Sequence, residues 1–94
     1  VYLTCDLSLE DAQKLYSEAT VLYRQMIRIP PKEREANSQK VLSKYKEAIA
    51  LFTEAESLEG EADSLEELGL VQTLLGNELQ AIEDWKKALL INEK

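Results

Sequence analysis

The apolar positions of this chain fall into helix-spaced stripes. Between Leu9 and Ile29 they stand at 12, 15, 16, 19, 22, 23 and 26, the i, i+3, i+4 spacing of an amphipathic helix. Leu7 to Ala12 reads as its start: Ser8 and Asp11 are spaced as a capping box, Leu7 and Ala12 as a hydrophobic staple, and residues 1–8 form an N-terminal lead-in. Ile29 precedes a proline, which disfavours helical backbone and predicts the stop. Pro31 then suits the first position of a second helix, with Glu33 and Glu35 in its first turn. No glycine or proline interrupts 32–59, and a stripe at 42, 45, 49, 52, 55 and 58 predicts one long helix with Gly60 as its C′ residue. A break near Ser43-Lys44 is the competing reading. A third helix over 62–75 ends at Gly76, and Asn77, with Gln80 three residues on, caps a fourth over 78–92. Its apolar face is Leu79, Ile82, Trp85, Ala88 and Leu89, and its solvated face is Gln80, Glu83, Asp84 and Lys87.

The expected fold is therefore all-α, made of antiparallel helical hairpins with about four helices near 9–29, 32–59, 62–75 and 78–92. Residues 9–60 form a long first hairpin and 61–94 a second, within one compact domain. Trp85, Phe52, Tyr45, Tyr23, Leu68 and Ile82 are expected in the core, since aromatics on such stripes are mostly buried.

Three segments can be stacked on one another, each with an alanine, an aromatic four residues on, and Met or Ala three further. They are Ala19-Tyr23-Met26, Ala48-Phe52-Ala55 and Ala81-Trp85-Ala88. A small residue lets two helix backbones approach, and the aromatic one turn on fills the space beside them. Residues 62–90 add Leu65, Leu68-Gly69 and Gly76 to the last of these. That set resembles the tetratricopeptide repeat, W-x2-L-G-x2-Y…A-x3-F…P. Leu65 stands in the Trp position, Gln72 in the Tyr position, Trp85 in the Phe position and Glu93 in that of the closing proline. The resemblance is good over 62–94. Over 31–60 it holds only in the second half, and over 9–31 only as a B helix. Similar alanine-aromatic patterns also occur in plain bundles and in three-helix interaction domains of the MIT type.

Composition narrows the chemistry. There is no histidine, which removes the commonest general base and metal ligand. The glycines are too scattered for a phosphate loop, and Cys5 and the serines have no base to activate them. No enzyme activity, cofactor or metal is expected. The net charge of −7 argues against nucleic acid or an anionic membrane surface as partner. One cysteine rules out an internal disulfide and suits a reducing compartment, so a cytoplasmic location is expected. The chain opens on valine and reads as a segment of something longer or a processed product.

Charge is also segregated. From Arg24 to Lys46 there are seven basic residues and two acids, whereas from Glu47 to Trp85 there are eleven acids and no basic residue. The acidic half is a solvated surface or an electrostatic footprint for a basic partner. The tetratricopeptide resemblance implies a scaffold for protein–protein contact, with A helices lining a groove for a peptide or protein segment. Its groove-facing positions are Asp63, Glu66, Leu70 and Thr73 here. None of these is Lys, Arg or Asn, so the resemblance does not extend to the subclass that clamps acidic C-termini with those residues. The expected function is a non-catalytic interaction module for a peptide or protein segment, a basic one where the acidic half is a footprint. The alternatives are a helical spacer or cap that packs on neighbouring repeats or self-associates, and an MIT-like bundle.

Overall fold

Small residues set where the helices touch. The computed structural model describes residues 2–93, with side chains from Ser8 to Glu93. It contains α1 (Tyr2–Met26), a single 3-10 turn (Pro31–Glu33), α2 (Glu35–Glu54), α3 (Leu58–Leu74) and α4 (Glu78–Asn92), and no strand among the described residues. α1 packs on α2, α2 on α3 and α3 on α4, with a lesser contact of α1 with α3. Ala12, Ala19, Ala48, Ala62, Ala81 and Ala88 are all buried at these crossings. The result is two helical hairpins side by side in a slab of 45 × 25 × 14 Å. α4 lies at its edge and, among the described residues, touches no helix but α3.

The core sits between the first three helices. Ala19, Met26, Val41, Tyr45, Leu68 and Val71 form one buried cluster, and Ala12, Ala48 and Phe52 a second. Tyr16 joins them, edge-on to Tyr45 at 5.8 Å and to Phe52 at 6.5 Å between ring centres. Such pairs add roughly 0.5–1.5 kcal/mol beyond their buried area. The Thr20 hydroxyl donates to the Tyr16 carbonyl at 2.9 Å, so the Tyr45 hydroxyl, 3.1 Å away, donates to Thr20. Burial pushes the Tyr45 phenol up to about 12, so the ring stays neutral through the physiological range.

Several sequence expectations are corrected. α1 is helical from Tyr2, so Ser8 is a buried residue inside the helix rather than its cap; the staple contact of Leu7 lies outside the described side chains. α1 stops at Met26, three residues before Ile29. There Arg34 closes it: Nε donates to the carbonyls of Met26 at 3.1 Å and Ile29 at 2.7 Å, and a terminal nitrogen to Ile27 at 3.2 Å. The guanidinium thus ties the turn after α1 to its last residue, whose carbonyl also accepts from the Ile29 N–H at 3.1 Å. Pro31 starts the 3-10 turn rather than α2, and Glu33 falls in that turn.

α2 runs unbroken through Ser43 and Lys44 but ends at Glu54. The hairpins therefore meet at Ala55-Glu56-Ser57 and not at Gly60. The Ser57 N–H donates to Phe52 O at 2.8 Å and the Glu56 N–H to Thr53 O at 3.0 Å, a Schellman closure with Glu56 at φ 58°. Ser57 then caps α3, its hydroxyl accepting from the Gly60 N–H at 3.3 Å. Gly60 is thus a first-turn residue of α3, beneath the Phe52 ring. The α3–α4 turn repeats this closure with Gly76 as the C′ residue at φ 84°, a conformation only glycine adopts freely. Asn77 occupies the N-cap position of α4 without the capping bond; its amide donates to Gln72 Oε1 at 2.8 Å instead.

Candidate functional site

α3 is held between α2 and α4, so its buried arc is wide. Ala62, Ser64, Leu65, Leu68, Gly69, Val71 and Gln72 are all covered. Residues spaced by three and four on the remaining face stay outside, and Asp63, Glu66, Leu70 and Thr73 are all exposed there. The structure does not use them equally.

Glu66 and Leu70 border a groove of about 440 Å³ between α3 and α4, together with Glu67, Trp85, Leu89 and Asn92. Asp63 lies one turn earlier and opens onto a separate hollow of about 250 Å³ beside Tyr16 and Phe52. The Thr73 hydroxyl is committed to its own helix, donating to Gly69 O at 3.0 Å, and borders neither cavity.

Trp85 sets the shape of the groove. Its indole lies across Gly69, so closely that a Cβ at 69 would run into the ring. Its Nε1–H donates to the Glu66 carbonyl at 3.3 Å, while the Asn92 amide donates to Glu66 Oε1 at 3.3 Å. The ring is 39% exposed, Leu70 45% and Leu89 59%, so the groove has an apolar floor open to solvent and an acidic rim. The rim carries repulsion. Burial, then the like charges of Glu66 and Asp63, hold the Glu67 carboxyl above its ordinary value of 4.5, with Arg24 pulling the other way. Burial, then the charges of Glu67, Asp63 and Glu66, push the Tyr16 phenol up as well.

α4 departs from its expected orientation. Ile82 and Trp85, expected in the core, are 44% and 39% exposed, and Tyr23 is half-buried. Leu79 and Leu89, expected on the packed face, are open, while Asp84, expected in solvent, is 2% exposed. The face turned to α3 is Ala81, Asp84 and Ala88, because its close packing admits only small or short side chains. Gln80 Nε2 donates to Asp84 Oδ1 at 3.3 Å, and Oδ2 has no protein partner. Burial holds this carboxyl above its ordinary 3.8, against Gln80, Lys87 and Lys46.

Sequence reasoning thus missed Trp85, Leu89 and Asn92 as groove residues. The available signal was that the apolar positions of α4 cover too wide an arc for a single packed face. No group of three or more His, Cys, Asp or Glu converges as a metal site among the described residues. No helix there is long and apolar enough to cross a membrane. Comparison with family models, curated proteins and solved structures gives no match.

Proposed function

We propose that this all-α domain is a non-catalytic protein–protein interaction module, organised like a tetratricopeptide hairpin pair. Its α3 face and the adjoining α3–α4 groove take a basic amphipathic segment. One observation carries this: Glu66 and Glu67 stand at the rim of a groove whose floor is the solvent-open Leu70, Trp85 and Leu89. Carboxylates of one sign cannot neutralise one another, and the charges of Glu66 and Asp63 add to burial in raising the Glu67 carboxyl. A lysine or arginine at the rim relieves this repulsion, while apolar side chains of the same segment cover the floor. Asp63 extends the acidic rim by one turn. Thr73, bonded to its own helix, contributes shape rather than a polar contact.

The test uses the only tryptophan of the chain as its reporter. A short helical peptide with lysines on one face and leucines on the other should change Trp85 emission on binding. In stopped-flow at low salt, replacing Asp63 and Glu66 together with Lys should slow association about tenfold and flatten its salt dependence, because such charges act mainly on encounter. The melting temperature should hardly move, since exposed charges contribute little to stability. Equal association rates for the two proteins at low salt overturn the proposal.

A further inference from the structure

The far side of α4 presents a second feature, separate from the α3 groove. Opposite its packed residues Ala81, Asp84 and Ala88 runs a line of four exposed residues spaced four, three and four apart: Leu79, Glu83, Lys86 and Leu90. Leu79 is 82% exposed and Leu90 62%, the two most open large apolar residues described. Neither Glu83 nor Lys86 has an ion-pair partner in the chain among the described residues. Two exposed leucines thus flank a charged pair on a face that no other helix covers, since α4 has only α3 beside it among the described residues.

The order of the four residues says what fits. Leu-Glu-Lys-Leu is complementary to itself when turned end for end. A twofold axis between positions 84 and 85 lays Leu79 on the Leu90 of a second copy and Glu83 beside that copy's Lys86, each contact occurring twice. A parallel arrangement would instead set Glu83 on Glu83 and Lys86 on Lys86. A surface that matches itself under a twofold rotation is what a closed dimer requires. We infer that α4 is the self-association surface of this protein, pairing antiparallel with the α4 of a second copy. One helix against its copy buries less than an interface of standard size, so the dimer is weak.

Sedimentation equilibrium over a concentration series tests this on the intact chain. The wild type should convert from monomer to dimer across the series. Glu83→Lys alone and Lys86→Glu alone each place like charges together twice in the dimer and should weaken it about tenfold or more. The two combined restore opposite charges and should return the dissociation constant to near the wild-type value. All of these positions are exposed, so circular dichroism and the melting temperature of the dilute monomer should stay unchanged and confirm that each variant folds. A wild type that remains monomeric at about 1 mM, where even a very weak complex is half formed, overturns the inference. So does a dimer that single charge reversal does not weaken, or that the double variant does not restore.

Discussion

α2 and α4 carry the same short pattern, an alanine, an aromatic four residues on and a second alanine three further, and they use it differently. In α2, Ala48 and Phe52 are buried at 0% and 4% exposure. In α4, Ala81 and Ala88 are buried at 1% and 2%, but Trp85 between them is 39% exposed. The first alanines behave alike because each helix has a close neighbour on that side, α1 for α2 and α3 for α4; the second differ, since Ala55 is the half-buried C-cap of α2 whereas Ala88 is inside α4. The aromatics differ because α3 also covers α2 from a second direction, whereas α4 has no second neighbour. The pattern encodes where a helix can approach closely. How many helices approach it is a property of its place in the stack.

The largest test of this difference is truncation of the two aromatics. Phe52→Ala should cost about 3–5 kcal/mol, as buried aromatic truncations do. Trp85→Ala, which loses half-covered area and one long hydrogen bond, should cost about 1–2 kcal/mol. Urea midpoints of the two variants measure both. Equal losses would mean that Trp85 is as fully covered in solution as Phe52.

The two turns behind these helices offer a second, smaller contrast. Each closes with the same pair of backbone hydrogen bonds, but the left-handed position is Glu56 in one and Gly76 in the other. A residue with a Cβ is strained there by roughly 1–2 kcal/mol. Glu56→Gly should therefore stabilise the protein by about 1 kcal/mol, and Gly76→Ala should destabilise it by a similar amount. Thermal unfolding of both variants checks the pair. A loss on Glu56→Gly would show that the glutamate side chain holds the turn by a contact worth more than its strain.

That turn also shows what was legible in the sequence and what was not. The all-α class, the proline turn after α1 and the glycine at Gly76 could be read directly, because Pro and Gly alter backbone freedom wherever they stand. The end of α2 could not. Glu56 carries no such signature, and Gly60, which does, serves as a first-turn residue under Phe52. Likewise Asp63, Glu66, Leu70 and Thr73 could be assigned to one face from spacing alone. The other wall of the groove could not, because the apolar residues of α4 point in two directions and periodicity does not say which is covered. Asp84 was hidden for the same reason: helix spacing groups it with the solvated residues, and only the closeness of α3 and α4 buries it.

Asp84 gives the last and smallest contrast. Three residues after Ala48, α2 holds the half-buried Leu51; three after Ala81, α4 holds a carboxylate. Burial raises the folded-state value of Asp84 above the 3.8 of an exposed side chain. Between those two values the folded protein binds more protons than the unfolded chain, so stability falls as the pH rises through that window. At neutral pH the group is ionised in both states, and the folded state bears the desolvation of the charge. The Gln80 hydrogen bond and the charges of Lys87 and Lys46 oppose this, which keeps the net effect small. Asp84→Asn retains the size and the oxygen that accepts from Gln80 while removing the charge. It should raise the urea midpoint slightly at pH 7, and the advantage should fade as the pH approaches 3.8, where the wild-type carboxyl takes up its proton. The opposite result, a loss at pH 7 that disappears in acid, would mean that Lys46 or Lys87 outweighs burial. The carboxylate would then hold α4 in place where α2 relies on a leucine.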